Sequence, residues 1–318
     1  MFCTLQDTEE IPELERILEK EKSRLFVIGS GSNILFDDEG FDGLVCKVEI
    51  KGMEFQDKGE KVCVIAGAGE EWDFLVSETV KRGLYGLENL SLIPGTVGAT
   101  PVQNIGAYGA EVKDCIDWVE VYDLKKKKIV KFARRQCGFG YRTSFFKSEK
   151  GKRYIILRAA FLLGQESKLN TEYPDLKEYF RITGVDSPSL AGVRDAVVAI
   201  RTLKLPNLNE IGTAGSFFKN PIISSSEYLE LKEKYSMLPS FRAGFGKVKV
   251  PLGWIIDRIC NLKGYRIGNV GLHQNQALVV VNFGGATAKE IKMLAAFVAQ
   301  KVKEKTGIEV EPEVQFVD

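Results

Sequence analysis

A serine within a run of small residues is the first feature of the sequence that could carry chemistry. Ser216 lies in the segment GTAGSFFKNP (212–221), with small residues before it and Phe217 and Phe218 after it. Glycine and alanine let a ligand approach the backbone, and the two phenylalanines would exclude water. The alternative is a loop followed by a helix, with Ser216 as a cap or turn residue. Taken alone, the segment favours this alternative.

A serine nucleophile would need an imidazole base beside it. His273 is the only histidine of the chain, and it lies in GLHQNQ (271–276) without an assignable acidic partner. A serine hydrolase is therefore a poor interpretation. A single histidine also argues against metal sites built from several imidazoles, so we expect no metal centre.

Two glycine-rich segments could hold an anionic ligand, and the first is GSGSN at 29–33. It does not meet the dinucleotide fingerprint G-x-G-x-x-G, because Ile34 stands at the third glycine position and the next residues predict a strand instead of a helix. A turn rich in backbone N–H groups can still bind an anion. A tight turn between two strands explains the segment equally well.

The second glycine-rich segment covers residues 84–109 and shows little periodicity. A loop of this length inside a compact domain usually has a function. Its small residues would admit a flat ligand, and Gln103 and Asn104 could recognise ring or ribose edges through paired donors and acceptors. Two such loops suit a large dinucleotide better than the alternative, an Ω-loop packed on itself.

Two further groups of residues could act at such a site. Arg142 lies among aromatic residues in YRTSFF (141–146), although an arginine covering the edge of a core is the preferable interpretation of that segment alone. Glu311 and Glu313 are expected on one face of a final strand, because side chains alternate at period two. Their alternative role is a solvated edge strand.

The elements that must position these residues mix helices and strands irregularly. We predict helices at 11–18 with Thr8 as a cap, at 72–80 ending at Gly83, and at 189–203, 252–259 and 291–302. We predict strands at 25–28, 34–36, 44–48, 62–66, 155–163, 277–282 and 310–317, and a hairpin of 118–122 with 129–132. This order favours an α+β fold over a repeating βαβ sheet.

Composition limits the classes of protein that remain. A length of 318 residues predicts two or three domains, and 44% hydrophobic with 27% charged residues is typical of a globular protein. The net charge of +1 does not suit a nucleic-acid-binding protein, and no run of residues predicts a membrane span. The first residues do not resemble a signal peptide. Six scattered cysteines indicate reduced thiols in a cytoplasmic protein.

Five segments in one order resemble the UDP-N-acetylenolpyruvoylglucosamine reductase (MurB) family, and the resemblance extends from Phe26 to the C-terminus. They are Tyr85–Gly109, Gly140–Arg142, Gly212–Pro221, Leu262–Gly264 and Glu311–Glu313. The resemblance implies an FAD-binding fold of the vanillyl-alcohol-oxidase type, made of two α/β subdomains, and a C-terminal α+β substrate-binding domain.

We place the first FAD-binding subdomain at residues 1–50 and the second, with a tyrosine loop, at 51–205. The substrate-binding domain follows at 206–318, after the helix break at LPN (205–207), and we expect the last strand to return to the first subdomain.

The resemblance also implies a non-covalent FAD held by both glycine-rich segments. The implied cofactor residues are Gly29, Ser30, Gly31, Ser32, Asn33, Pro94, Gly95, Val97, Gly98, Thr100, Gln103, Asn104, Gly106, Ala107 and Tyr108. They include the glycine-rich turn at 29–33 and the two amides of Gln103 and Asn104.

The family reaction would run in two halves in a bacterial cytoplasm, on the route to peptidoglycan. NADPH is the implied co-substrate that gives hydride to the flavin, and UDP-N-acetylglucosamine enolpyruvate then takes hydride from flavin N5 at its C3. By resemblance, Arg142 stabilises the resulting enolate, Ser216 protonates C2, and Glu313 orients the substrate or balances charge. The product would be UDP-N-acetylmuramate.

The resemblance places further residues on the UDP-sugar substrate. They are Tyr141, Tyr173, Lys204, Asn220, Lys263 and Gln276. Lysines suit a diphosphate, although solvated helix ends would explain Lys204 and Lys263 as well. Tyr173 opens a segment that resembles the family's mobile tyrosine loop. We expect a monomer. A different flavin oxidoreductase on the same fold and a non-catalytic sugar-nucleotide-binding protein are the competing interpretations.

Overall fold

The structure is a computed structural model that describes residues 1–166 and 168–318. Its strands are β1 (Phe2–Leu5), β2 (Leu25–Ile28), β3 (Ile34–Phe36), β4 (Leu44–Val48), β5 (Met53–Asp57), β6 (Lys61–Gly67), β7 (Gly106–Ala107), β8 (Ala110–Glu111), β9 (Ile116–Asp123), β10 (Lys128–Ala133), β11 (Tyr154–Gly164), β12 (Gly212–Ser216), β13 (Ile222–Ser224), β14 (Phe241–Arg242), β15 (Lys247–Lys249), β16 (Arg266–Ile267), β17 (Val270–Leu272), β18 (Val279–Asn282) and β19 (Gln315–Val317).

The helices lie between these strands in an irregular order. They are α1 (Ile11–Glu21), α2 (Trp72–Lys81), α3 (Pro174–Thr183), α4 (Leu190–Lys204), α5 (Ser225–Lys234), α6 (Leu252–Trp254) and α7 (Ala288–Thr306). Mainly antiparallel sheets, with helices interspersed in an irregular order, confirm the predicted α+β class.

The chain forms two compact units. Unit 1 comprises residues 1–31 and 42–201, and unit 2 comprises residues 32–41 and 202–318. The predicted subdomain limits at residues 50 and 205 stay predictions.

A three-stranded parallel sheet begins unit 1, in the order β1-β4-β2. The helix α1 covers it with Ile11 and Leu14, which belong to the buried core. The cap of this region differs from the prediction. Asp7, not Thr8, accepts a hydrogen bond from the Glu9 N–H at 2.9 Å, because a short 3-10 turn (Thr8–Glu10) precedes the helix and moves the cap back by one residue.

The larger sheet of unit 1 is antiparallel, in the order β10-β9-β11-β6-β5. The predicted hairpin of β9 with β10 is confirmed, whereas β5 has too polar a sequence to have been recognised. Trp72 and Leu75 of α2 are fully buried in the core of this unit. The Trp72 indole N–H donates to the Leu90 carbonyl at 2.8 Å, so α2 also supports the long loop that follows it.

A smaller apolar cluster joins α3, α4 and the end of the long loop. Val193, Val197 and Ile200 lie on one side of α4 at helical spacing and pack with Phe180 of α3 and with Tyr108. The end of the candidate cofactor loop is therefore anchored in a core of its own.

Unit 2 is built on an antiparallel sheet with the order β12-β18-β17-β16. The long helix α7 packs against this sheet, and Leu294 and Val298 lie in the same buried cluster as Val280. Thr287 and Glu290 form a capping box at the start of α7, where the Thr287 Oγ1 accepts from the Glu290 N–H at 3.2 Å.

Two parts of unit 2 differ from the predicted elements. The final strand covers only Gln315–Val317, where it pairs in parallel with β3, and the expectation of a strand from 310 is wrong. Pro312 lacks an N–H and cannot continue the ladder. The predicted helix at 252–259 begins as α6 but widens into a π-helical turn at Ile255–Ile259.

Candidate active site

The two glycine-rich segments meet inside unit 1. A Cβ atom placed on Gly29 would lie 2.3 Å from the Thr96 Oγ1, so the turn after β2 and the long loop are in direct contact. Gly31 has φ of +76°, a conformation that glycine adopts without strain. The joint binding of FAD by the two segments stays a prediction, and their contact is compatible with it.

The first part of the long loop lies along the start of α2. The Trp72 N–H donates to the Gly95 carbonyl at 3.0 Å, and the Val97 and Gly98 N–H groups donate to Glu70 and Ala68 carbonyls, both at 2.9 Å. Gly98 also packs closely on Ala68, where a Cβ would meet the alanine Cβ at 2.6 Å. This part of the loop is fixed by backbone contacts.

Asn104 does not have the environment expected of an amide that recognises a ligand. Its side chain is fully buried, and its Nδ2 donates to Glu111 Oε2 at 3.0 Å and to the Gly140 carbonyl at 2.9 Å. Its Oδ1 accepts from the Lys113 N–H at 3.1 Å. These bonds tie the loop to the turn that carries Arg142, so the side chain organises the site from within. Its contact with a cofactor stays a prediction.

Arg142 lies over the long loop. Its Nη2 donates to the Gly106 carbonyl at 2.6 Å, and a Cβ on Gly106 would come within 3.0 Å of the Arg142 Nη1. The tight turn from Gly140 to Thr143 presents the side chain, and the Tyr141 ring centroid lies 5.7 Å from its guanidinium carbon. The predicted catalytic arginine and the predicted cofactor loop therefore lie together.

Backbone strain is concentrated in this region. Leu92, Asn104, Tyr108 and Arg142 have positive φ values between +46° and +57° without being glycine. Such conformations cost of order 1–3 kcal/mol each and persist where the surrounding structure enforces them, as it often does at functional sites.

Arg201 is a residue of this region that sequence reasoning missed. It lies near the end of α4, hydrogen-bonds the Tyr108 side chain and donates through Nε to the Leu92 carbonyl at 3.2 Å. Burial lowers its pKa, and burial raises the pKa of Tyr108 to about 12. Tyr173 meets Tyr108 edge to face at 5.3 Å between ring centroids. A signal existed, because Arg194 and Arg201 are seven residues apart on one helix and therefore share a face.

Ser216 ends β12, and a bulge places it there. The pairing of β12 with β18 shifts between Thr213 and Ser216, and Gly215 within the bulge has φ of +78°. The Thr213 Oγ1 donates to the Val280 carbonyl at 2.7 Å and accepts from the Gly215 N–H at 3.1 Å. The expectation of a loop before a helix is wrong, because Gly212–Ser216 is a strand. Bulges commonly re-aim a side chain next to an active site.

Glu313 is held beside the serine segment in unit 2. Its N–H donates to the Phe217 carbonyl at 2.8 Å, and the Lys219 N–H donates to the Glu311 carbonyl at 3.0 Å. Glu313 is 9% exposed, whereas the Glu311 side chain is 75% exposed and pairs with Lys219 at 2.8 Å. The backbone of residues 311–313 pairs with residues 217–219, and the two carboxylates have different exposure; the expectation that they share one face stays a prediction.

Asn33, expected at the cofactor, lies in unit 2 beside the same segment. Its Nδ2 donates to the Glu313 carbonyl at 3.2 Å, and its own carbonyl accepts from the Gln315 N–H at 3.1 Å. Ser32 belongs to the same unit, while Ser30 is an exposed residue of the turn in unit 1.

Three predicted substrate residues of unit 2 surround α6 and the turn that follows it. The Asn220 Oδ1 accepts from the Leu252 N–H at 2.9 Å, and the Gln276 Oε1 would lie 3.0 Å from a Cβ on Gly253. Lys263 pairs with Asp257 Oδ2 at 3.1 Å. The structure brings these three residues to one short segment, while Lys204 lies in unit 2 at the end of α4.

His273 does not support a serine triad. Its Nδ1 accepts from the Asn275 N–H at 3.4 Å, within its own turn. Across residues 1–166 and 168–318, no hydrogen bond joins His273 to Ser216.

Two family models match the chain. A model described as the UDP-N-acetylenolpyruvoylglucosamine reductase C-terminal domain matches residues 206–317, and an FAD binding domain model matches residues 1–133. The reductase of that name from Chromobacterium violaceum is 44% identical over 98% of this chain and 92% of its own length.

The chain belongs to the UDP-N-acetylenolpyruvoylglucosamine reductase family. A second member, from Flavobacterium johnsoniae, is 40% identical over 96% of this chain and 91% of its own length. The crystal structure of the Thermus caldophilus member superposes with a TM-score of 0.68 at 25% identity, and covers all of this chain and 92% of its own. The predicted resemblance and the FAD-binding fold are confirmed, and the chain is an FAD-containing oxidoreductase.

The residues of the contact between Gly29 and Thr96 fit the FAD of this reductase family. The Thr96 Oγ1 is buried and has no hydrogen-bond partner among the residues that the structure describes. The lack of a side chain at Gly29 and Gly98 lets these segments pack directly against Thr96 and Ala68. An unpartnered buried hydroxyl beside a glycine turn suits a polar cofactor.

Two absences, in the part of the chain that the structure describes, concern membranes and metal ions. No helix there is both long and apolar enough to cross a bilayer. In the same part of the chain, no three histidine, cysteine or acidic side chains lie together in an arrangement that could hold a metal ion.

Proposed function

We propose that the chain reduces UDP-N-acetylglucosamine enolpyruvate to UDP-N-acetylmuramate with NADPH, as part of peptidoglycan precursor synthesis in the cytoplasm. The names of its relatives support this substrate class. The observation that carries the proposal is the pairing in unit 2, which places Ser216 one residue from the Phe217 carbonyl that binds the Glu313 N–H. A hydroxyl and a buried carboxylate are thereby held on adjoining backbone.

The residues of unit 1 would prepare the site for negative charge. The two glycine-rich segments would hold FAD, which would supply hydride-transfer chemistry between NADPH and C3 of the enolpyruvyl group. Arg142 would stabilise the enolate charge that develops on the substrate, because a fixed guanidinium needs no reorganisation at the moment of reaction. Its bond to the Gly106 carbonyl at 2.6 Å supports this role, since it keeps the cation at the cofactor loop.

Ser216 would hold the proton that C2 receives. A serine hydroxyl is a weak acid in water, but the enolate is a strong base, so position matters more than a lowered pKa. The bulge at Gly215 supports this assignment. The Thr213 hydroxyl accepts from the Gly215 N–H and donates to the Val280 carbonyl, and so fixes the backbone that carries Ser216. Glu313 would orient the substrate or balance charge.

Asn220, Lys263 and Gln276 would bind the nucleotide part of the substrate, together with Tyr141, Tyr173 and Lys204. The convergence of the first three on the segment 252–259 supports one common ligand. The Lys263 ammonium would exchange its bond to Asp257 for the diphosphate, as a mobile point charge can. We also propose that the protein acts as a monomer.

Stopped-flow absorbance tests this function in two steps. NADPH should bleach the flavin absorbance at about 450 nm, and the enolpyruvyl substrate should restore it while UDP-N-acetylmuramate forms. If NADPH bleaches the flavin and the substrate does not restore the colour, another flavin oxidoreductase activity on this fold is favoured. If the purified protein binds the UDP-sugar and no flavin, a sugar-nucleotide-binding role is favoured.

A further inference from the structure

Leu92 has an unusual backbone for its residue type. It has φ of +57°, and its side chain is 36% exposed, so packing does not explain the conformation. It stands two residues before Pro94, where the candidate cofactor loop begins. Left-handed backbone is unfavourable for leucine, so another part of the molecule must enforce it.

Two charged side chains hold the polar groups of this residue. The Leu92 N–H donates to Asp73 Oδ1 at 2.5 Å, and the Leu92 carbonyl accepts from Arg201 Nε at 3.2 Å. Asp73 lies in the first turn of α2 and Arg201 near the end of α4. Because both the N–H and the carbonyl of Leu92 are hydrogen-bonded, its φ and ψ angles are restrained.

Asp73 is itself fixed by Arg194. The guanidinium donates from Nη1 to Oδ1 at 2.7 Å and from Nη2 to Oδ2 at 2.8 Å, and only 15% of the arginine side chain and 21% of the aspartate side chain are exposed. Burial acts to raise the pKa of Asp73, but hydrogen bonds from Arg194 and Leu92 outweigh it and lower the pKa. The acceptor of the Leu92 N–H is therefore a rigid carboxylate.

The same helix also reaches the far end of the loop. Arg201 hydrogen-bonds the Tyr108 side chain as well as the Leu92 carbonyl. The loop between these two residues contains every cofactor residue expected in the second glycine-rich segment. The end of the loop at Tyr108 is thus held by α4, and its beginning at Leu92 is held by both α2 and α4.

We propose that Asp73 and Arg194 are positioning residues for the cofactor, which keep Leu92 left-handed and so preform the loop from Pro94 to Tyr108 for FAD. This inference rests on the proposed assignment of that loop to FAD. A preformed loop binds more tightly, because the apparent affinity falls with the fraction of molecules in the binding-competent conformation.

The test measures the FAD dissociation constant of variants by fluorescence, together with the melting temperature of each apoprotein. Asp73→Ala should weaken FAD binding about 10- to 100-fold. Asp73→Asn keeps an oxygen acceptor for the Leu92 N–H and should weaken it less. An equal loss of FAD affinity in the two variants would contradict the proposal. It would mean that FAD binding depends on the negative charge of Asp73 and not on its hydrogen bond to the Leu92 N–H.

Leu92→Gly distinguishes a positioning role from a merely structural one. If the ion pair only stabilised the fold, this substitution would not restore FAD affinity to Asp73→Ala. Glycine adopts positive φ without cost, so it should recover about five-fold of the lost FAD affinity in the Asp73→Ala background and change the otherwise unaltered protein less than two-fold. The same small change in both backgrounds would overturn the proposal, because the two sites would then be independent.

Asp123→Ala is the matched control. Asp123 is buried, pairs with Arg153 at 3.0 Å and accepts from the Lys125 and Lys126 N–H groups, so it also combines an ion pair with a bound turn. It lies in the large sheet of unit 1, away from the loop in sequence. Its loss should lower the melting temperature and leave FAD affinity within two-fold.

Gly98→Ala tests the assignment of the loop to FAD separately from the positioning role of Asp73. Its new Cβ would meet Ala68 Cβ at 2.6 Å inside the loop, so FAD affinity must fall if the loop holds FAD. An unchanged affinity in Gly98→Ala would reject the assignment of the loop. A reduced affinity in Gly98→Ala with an unchanged affinity in Asp73→Ala would reject the positioning role alone.

Discussion

The two units hold their candidate catalytic residues by different means. In unit 1, side chains fasten the backbone: Asn104 bonds three separate groups, and Arg142 binds the Gly106 carbonyl. In unit 2, backbone pairs with backbone, and the segment of Ser216 is bonded to β18 on one side and to residues 311–313 on the other.

This difference predicts that substitutions in the two units affect different properties, cofactor binding in unit 1 and reaction rate at Ser216 in unit 2. A substitution in the loops of unit 1 removes part of the scaffold as well as a side chain, so it should affect the affinity for FAD. A substitution at Ser216 leaves the ladder in place, because β-sheet hydrogen bonds do not depend on the side chain. Substitution of Ser216 should therefore alter the rate without altering cofactor binding.

The largest expected effect is that of Ser216→Ala. Reoxidation of the reduced flavin by the enolpyruvyl substrate should slow about 10²- to 10⁴-fold, since a proton donor in the transition state is lost. Reduction of the flavin by NADPH and the melting temperature should change little. Stopped-flow absorbance of the two half-reactions measures both rates.

Thr213→Ala is the control for Ser216→Ala. It removes the hydroxyl that stabilises the bulge and leaves the proposed proton donor. It should lower stability by about 1 kcal/mol and slow substrate reduction less than Ser216→Ala does. An equal loss of both half-reactions in Ser216→Ala would remove the assigned role.

The second effect concerns the contact of the two glycine-rich segments. Gly29→Ala would place a Cβ 2.3 Å from Thr96 Oγ1, and overpacking of this kind costs about 1–3 kcal/mol. We expect FAD affinity to fall about 5- to 100-fold, as measured by titration of the apoprotein. In the Thr96→Ala background the clashing oxygen is absent, so the additional effect of Gly29→Ala should largely disappear.

The third effect is a pH dependence of cofactor retention. The folded pKa of Asp73 is lowered below the usual value of 3.8, so its contribution is complete above that pH and is lost as pH falls through the folded pKa. FAD release followed by fluorescence between about pH 4 and pH 2 should be less steep in Asp73→Asn than in the unaltered protein. Identical curves would mean that other groups cause the release.

The smallest effect is expected at Lys263. Its Nζ pairs with Asp257, and 38% of the side chain is exposed, so the ion pair contributes about 0.2–1 kcal/mol at most to stability. Lys263→Ala should raise KM for the UDP-sugar about two- to five-fold and leave kcat unchanged. A lowered kcat would place this lysine closer to the reacting atoms than we propose.

Local sequence patterns predicted many elements of the fold. The strands β2, β3 and β4 were predicted residue for residue, because short apolar runs are separated there by glycine and polar residues. The final strand was predicted too long. Residues 311–313 are extended, but they pair with residues 217–219, and partners 94 positions apart in sequence cannot be read from either segment alone.

The sequence predicted candidate residues of the site, but it did not predict the contacts between them. Family resemblance supplied Ser216, Arg142 and Glu313, whereas nothing local in the sequence assigned Asn104 to internal hydrogen bonds. Asp73 and Arg194 are 121 residues apart, and their pairing depends on how α2 and α4 pack. Interactions of this kind arise from tertiary structure, which single-residue patterns do not contain.

The parallel pairing of β3 with β19 has a consequence for synthesis of the protein. Residues Ile34–Phe36 leave the ribosome long before their partners Gln315–Val317 are made, because the two strands are far apart in sequence. Until then, the N-terminal segment of unit 2 has no neighbouring strand, and Asn33 cannot bind the Glu313 carbonyl. Closing so long a loop is slow, so unit 2 should be the last part of the nascent chain to fold. Nascent chains stalled before Gln315 should therefore lack enolpyruvyl reduction even if they already bind flavin.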